Sequence, residues 1–171
     1  MRCEMKIMTE KNLNEAFCGE SKAAMKYMIY SEVAERNGYP NVGKLFRAIS
    51  YAETVHATNH YRNLGMIKST TENIEDAIAG EHYEVTEMYP VFNEVAKFQK
   101  EAGAETSTRY ALEAEKIHES LYREALESVK EKKDIAPKEI YICPVCGYTV
   151  VGKPPDKCPV CGTDGTKFKK F

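Results

Sequence analysis

The strongest constraint on this chain is a repeated spacing of glutamate and histidine. Glu20 precedes Glu53-Thr-Val-His56 by 33 positions, and Glu84 precedes Glu115-Lys-Ile-His118 by 31. Residues three apart on a helix lie on nearly the same face, so each Glu-x-x-His pair offers a carboxylate and an imidazole to one point. A four-helix bundle can hold two metal ions with one glutamate from each of two helices and a Glu-x-x-His pair from each of the others. The chain supplies that set and one carboxylate more. The extra residue is Glu81, whose counterpart in the first copy is Phe17.

A single Glu-x-x-His carries no weight, because helices rich in Glu produce it by chance. Two of them, each preceded at a similar distance by another Glu, are far more specific. The flanking residues also argue against solvated helix faces: Phe17, Ala23, Ala24 and Tyr27 surround Glu20, and Ile49, Ser50 and Ala52 surround Glu53. A carboxylate on an apolar face must be paired or metal-bound, since burying it bare is costly. Carboxylate mixed with imidazole favours Fe or Mn over Ca. Other candidates are weaker. His82 is turned ~100° from Glu81 on a helix and reads as a surface or supporting residue, and His60 reads as a core or supporting one. Tyr27, seven residues after Glu20, falls on the same face and is a candidate to hydrogen-bond a ligand; Tyr89 is a lesser one.

Amphipathic spacing with few breakers predicts helix over most of the first 131 residues. Helix A starts at a Thr9 cap and stops at Asn37-Gly38, with Pro40 beyond; helix B covers 41–63; helix C runs from a Thr71 cap to 101; helix D covers 104–132. Pro90 inside helix C removes a backbone donor and bends it. Gly80, next to Glu81, weakens the same helix by ~1 kcal/mol relative to Ala. The division expected is a helical domain over 1–133, a charged linker over 134–139, and a small domain over 140–171, where Gly, Pro, Cys and Thr dominate.

That last segment carries two matching knuckles, Cys143-Pro-Val-Cys146-Gly and Cys158-Pro-Val-Cys161-Gly. Each aims two thiolates at one metal, and the glycine lets the backbone approach sulfur. Four thiolates bind Zn or Fe, and the spacing does not decide which. Taken alone, the module reads as a structural zinc ribbon; beside a redox-active metal pair, a thiolate-held iron makes a one-electron relay. Cys3 and Cys18 read as a terminal thiol and a small core residue.

Composition excludes little but does so clearly. With 24 basic against 26 acidic residues, no basic surface advertises nucleic acid. No apolar run approaches the ~20 residues that cross a bilayer, so no membrane role is expected. The start, Met-Arg-Cys-Glu-Met-Lys, lacks the apolar core of a signal peptide. Paired CxxC motifs suit metal in a reducing compartment, so a cytoplasmic location is expected.

Together, Glu20, Glu53-Thr-Val-His56, Ala-Gly-Glu81-His-Tyr-Glu84, Glu115-Lys-Ile-His118 and the twin Cys-Pro-Val-Cys-Gly motifs resemble the rubrerythrins over essentially the whole length. The resemblance implies an all-α, ferritin-like four-helix bundle with a di-iron site, fused to a rubredoxin-like domain whose iron is held by Cys143, Cys146, Cys158 and Cys161. It implies a peroxidase that reduces hydrogen peroxide to water, with electrons from a rubredoxin or an NAD(P)H-dependent rubredoxin reductase. Glu53 and Glu115 would bridge the irons, Glu84 and His118 would bind one, and Glu20 the other. That second iron would take Glu81 when oxidised and His56 when reduced. Zn could occupy either site. The alternatives are a ferroxidase or iron-storage protein, and a manganese-type catalase bundle carrying a structural zinc ribbon.

Ferritin-like order requires helices B and C to run parallel, so their connection must travel back along the bundle. From Glu53 to the end of B, plus the start of C to Glu84, is ~35 Å of helix. The connection around residues 65–71, counted from the end of helix B at 63 to the start of helix C at 71, gives about eight peptide steps, at most ~29 Å fully stretched. The expectation is therefore a homodimer with exchanged helix pairs, A and B of one chain completing C and D of another.

Overall fold

The computed structural model describes residues 5–171, so Cys3 lies outside the described part. The chain divides into two compact units at residues 68 and 69.

The first unit is an antiparallel helix pair, α1 (Ile7–Arg36) and α2 (Pro40–Asn63). Hydrogen bonding in α1 begins at the Lys6 carbonyl, which accepts from Glu10 N–H at 3.0 Å. Thr9 therefore lies inside the first turn and is not the cap, which is the extended Lys6. The stop at Gly38 is as expected, with φ +82° and the Tyr39 N–H returning 2.8 Å to the Ala34 carbonyl. Pro40 does not simply follow the stop. It opens α2, where its missing N–H costs nothing.

Small residues set the separation of this pair. Ser31 Oγ donates to the Gly43 carbonyl at 2.9 Å, and Ser50 Oγ to the Ala24 carbonyl at 2.8 Å. A Cβ on Gly43 would come within 3.1 Å of the Ser31 carbonyl, so this approach requires glycine. The Phe17 and Tyr61 rings close the far end, 4.9 Å apart. Cys18, expected in the core, is exposed, because the face of α1 that meets α2 passes through Phe17 and Ala24 instead.

In the second unit, α3 (Thr70–Tyr83), a π turn (Glu84–Met88) and α4 (Tyr89–Phe98) form one rod antiparallel to α5 (Ala102–Lys130). The cap of α3 is Ser69 rather than Thr71. Its hydroxyl accepts from Glu72 N–H, and the Glu72 carboxylate accepts from Ser69 N–H at 3.1 Å. Thr71 has Ile74 at the reciprocal position and could not close such a box. Pro90 does not bend an ordinary α-helix: the backbone has already widened, Tyr89 N–H reaching five residues back to the Glu84 carbonyl. The widened turn falls just before the residue that lacks a donor. Buried Asn93 ties α4 to α5, donating to the Glu105 carbonyl and Thr108 Oγ1, both at 2.8 Å.

The end of this unit is a three-stranded antiparallel sheet, β1 (Ile140–Ile142), β2 (Thr149–Val151) and β3 (Lys169–Lys170), in the order β2-β1-β3. Its core is Cys143, Cys146, Cys158 and Phe168, with Tyr110 of α5 packed against it. A Cβ on Gly147 would meet the Ala114 side chain of α5 at 3.7 Å, so the first knuckle lies directly on that helix. Among the described residues, no helix is long and apolar enough to cross a membrane.

Candidate metal centres

Three groups of side chains are gathered closely enough to hold an ion. In the first unit, α1 supplies Glu20 and α2 supplies Glu53 and His56, with one ligand atom from each within 4.8 Å of the others. His56 Nδ1 lies 2.9 Å from Glu53 Oε2, the contact that an i,i+3 helix pair makes by itself. Tyr27 packs against Tyr30 and Phe46, at ring centroid distances of 6.2 and 6.0 Å.

In the second unit the gathered set is Glu81, Glu115 and His118. His118 Nδ1 is 2.6 Å from Glu115 Oε2 and 4.0 Å from Glu81 Oε2. Spacing along the chain pairs Glu20 with Glu84, whereas the structure gathers Glu81 here and sets Glu84 beside it, at the start of the π turn. The neighbourhood is rich in carboxylates, Glu81, Glu84, Glu115 and Glu119. Burial, then the hydrogen bond to Glu115 and the charges of Glu115, Glu84 and Glu119, push the Glu81 carboxyl up to about 8. Burial and Glu115 also raise Glu84, partly offset by His118. Tyr89 is raised by burial and by Glu84, Glu115 and Glu81, which places its phenol at the same cluster. A cation relieves such crowding, and hard carboxylates with an imidazole suit iron. His82 stands outside this set: it is exposed, and its Nδ1 lies 3.1 Å from Glu119, which also accepts from Arg123.

The third group is the four cysteines. Their sulfurs lie within 4.8 Å of one another, with Cys143–Cys161 at 3.5 Å and Cys146–Cys158 at 3.4 Å. A tetrahedral ion with bonds of ~2.3 Å sets sulfurs ~3.8 Å apart, so the cage fits. Both knuckles close through a left-handed glycine, Gly147 at φ +76° and Gly162 at +77°. Each first cysteine donates its N–H to the residue five on, Cys143 to the Tyr148 carbonyl and Cys158 to that of Thr163. Burial pushes the Cys146 thiol up. Burial acts the same way on Cys161, but bonds from the Thr163 hydroxyl and backbone and from Cys143 and Cys146 outweigh it, holding that thiol at about 6. Cys161 therefore ionises most readily, while burial makes a metal displace protons from Cys146 and Cys158.

Two threonines in contact with candidate ligands were not singled out from the sequence, Thr163 beside Cys161 and Thr149 beside His118. Thr149, 31 positions beyond His118, places its hydroxyl 2.8 Å from His118 Nε2. No local pattern signals that contact.

Helices bearing two Glu-x-x-His half-sites, with a four-thiolate ribbon on one of them, define an iron-binding oxidoreductase of the di-iron carboxylate class. The rubrerythrin family profile matches residues 11–126, and that of the rubrerythrin rubredoxin-like domain matches residues 141–169. The chain belongs to the rubrerythrin family. It is 44% identical to Rubrerythrin-2 of Clostridium acetobutylicum, over 96% of this chain and 97% of that one. It is 34% identical to a rubrerythrin of Porphyromonas gingivalis, over 94% and 88% of the two chains. Among solved structures it is similar to fully reduced, all-ferrous nigerythrin, with a TM-score of 0.57 and 26% identity over 99% of this chain and 89% of that one.

Proposed function

We propose that the protein is a non-haem peroxidase that reduces hydrogen peroxide, with two electrons and two protons, to two waters. The electrons enter through the four-cysteine site from a rubredoxin or an NAD(P)H-dependent rubredoxin reductase. The observation that supports this reading best is the seating of the first cysteine knuckle on α5, the helix that carries Glu115 and His118. An iron-storage protein gives no reason for a redox relay against the ligand helix. Iron held by the carboxylates and histidines would supply the electrons for O–O cleavage, and iron held by Cys143, Cys146, Cys158 and Cys161 would supply one-electron transfer.

The residues that would hold two irons are Glu20, Glu53, His56, Glu81, Glu84, Glu115 and His118, with Glu53 and Glu115 shared between them. Glu81 and His56 would be the pair that exchange on one iron. The two histidines differ in the single chain: the His56 side chain is 55% exposed and that of His118 28%. The chain residues then have distinct tasks. The bridging carboxylates would hold the metal pair together, Glu81 would accept or give up its place, and Tyr89 offers a half-buried hydroxyl near the same carboxylates.

The working form proposed is a homodimer with exchanged helix pairs. With α2 ending at Asn63 and α3 starting at Thr70, the connection spans at most ~25 Å. Returning from the level of Glu53 to that of Glu84 takes ~36 Å of helix. Both units also leave large apolar side chains exposed, Met25 and Ile29 on α1 and Val91, Val95 and Phe98 on α4. A second copy of the chain supplies the cover.

Anaerobic stopped-flow mixing tests the activity. Reduced, iron-loaded protein is mixed with peroxide and, separately, with oxygen, and absorption of both centres is followed. Oxidation of both centres faster by peroxide than by oxygen is expected. Faster reaction with oxygen would favour a ferroxidase, and slow reaction with both would overturn the peroxidase reading.

A further inference from the structure

The two half-sites repeat in sequence but are held differently. His118 makes a contact on each side of its ring: Nδ1 faces Glu115 Oε2 at 2.6 Å, and Nε2 faces Thr149 Oγ1 at 2.8 Å. His56 has the matching contact to Glu53, but among the described residues none hydrogen-bonds its Nε2.

Proton counting decides the direction of the Thr149 contact. A threonine hydroxyl carries one proton and can accept as well. Thr149 Oγ1 lies 3.1 Å from the Gly147 carbonyl, which can only accept, so the hydroxyl proton goes there. The oxygen must then accept from His118, and the proton must sit on Nε2. Without a metal, the 2.6 Å contact between Nδ1 and Glu115 needs a proton of its own. A metal standing between Nδ1, Glu115 and Glu81 would displace that proton and meet the Nδ1 lone pair, Nε2 keeping its hydrogen. The threonine itself is fixed: it is 5% exposed, opens β2, and pairs across the sheet with Ile142, which precedes Cys143.

We infer that Thr149 is the positioning residue for His118. It selects the Nε2–H tautomer, fixes the plane of the ring, and ties one di-iron ligand to the knuckle that holds the thiolates. The ribbon thereby acts on the metal centre through its backbone as well as through its cysteines. It also makes the repeated half-sites unequal, with His118 anchored and His56 released. The inference rests on His118 being an iron ligand, as proposed above. Outer hydrogen bonds of this kind set both the orientation and the basicity of a ligating imidazole.

The test compares Thr149→Val, which keeps the shape and loses the hydroxyl, with Thr149→Ser, which keeps the hydroxyl. Anaerobic titration of the full chain with ferrous iron is expected to show the affinity of the carboxylate site weakened about 10–100-fold in Thr149→Val and near wild type in Thr149→Ser. In zinc-loaded protein, the His118 Nε2–H resonance should be sharp and slow to exchange in wild type and Thr149→Ser, and broad and faster to exchange in Thr149→Val. Absorption of iron in the four-cysteine site should be unchanged in both variants. Equal weakening in the two variants, or none in Thr149→Val, overturns the inference. Loss of the four-cysteine absorption alongside the affinity overturns it in favour of a purely structural role. None of these readouts depends on turnover. A protein that behaves as expected here yet fails to reduce peroxide therefore refutes the proposed activity and not the role of Thr149.

Discussion

Glu81 of α3 faces Glu115 of α5, with a carboxylate oxygen of each within 4.8 Å of the other, and burial together with Glu115 holds the Glu81 carboxyl well above its usual range. Two carboxylates this close and half-buried cannot both stay ionised without a cation. The proton thus marks the place where a metal ion neutralises the same charge.

The first prediction follows from that proton. The folded carboxyl of Glu81 is raised from 4.5 to about 8, burial being the largest cause and Glu115 the next. An acid with a raised folded pKa binds its proton more tightly folded than unfolded, so its contribution is most favourable at low pH and is lost as pH rises between those two values. Metal-free protein should therefore lose stability from about pH 4.5 to about pH 8, read as a falling midpoint in thermal unfolding by circular dichroism. Iron- or zinc-loaded protein should show a flatter profile, because the metal replaces the proton.

Glu81→Ala should reduce peroxide turnover by about 100-fold, the lower end of what a positioned acid–base group supplies. Iron content, measured by elemental analysis, should fall much less. Equal loss of both would reduce Glu81 to an ordinary ligand.

Exchanged helix pairs make a prediction by complementation. Glu53→Ala damages the half-site on α2 and Glu115→Ala the half-site on α5. If each bundle takes its pairs from two chains, a mixed dimer of these variants contains one intact site and one doubly damaged site. Co-expressed variants should thus recover part of the di-iron absorption and peroxide turnover that neither shows alone. A bundle closed within each chain would recover nothing, and a monomer by sedimentation with intact di-iron spectra would refute the exchange.

Removing one sulfur should dismantle the ribbon. Cys158 is 3% exposed and belongs to the buried core of this small sheet. Cys158→Ser should abolish the visible absorption of thiolate-held iron and expose the ribbon to proteolysis, since metal binding here is also folding energy. The helical signal of residues 7–130 should persist. The wild-type spectrum itself separates iron from zinc in that site.

The helix pattern was legible because apolar spacing, glycine stops and proline starts act over a few residues. Where the reading slipped, a neighbour decided. Ser69 rather than Thr71 caps α3 because only Ser69 has a glutamate three residues on to return the bond. Pro90 was legible as a disturbance, but the π turn that accommodates it, and that carries Glu84 at its start, was not. Cys18 looked like a core residue by type and is exposed because the α1–α2 contact runs through its neighbours.

What the sequence by itself determined were the groups of side chains that are neighbours along the chain: Glu53 with His56, Glu115 with His118, and the paired cysteines of each knuckle. Helix pitch and a tight turn bring these together whatever the rest of the fold does. Only the tertiary structure decided which carboxylate joins Glu115 and His118, and which histidine is anchored. The Glu81 contact depends on how α3 packs on α5, and the Thr149 bond on where the ribbon settles against that helix. Contacts of this kind join residues more than thirty positions apart, and no periodicity in the chain encodes them.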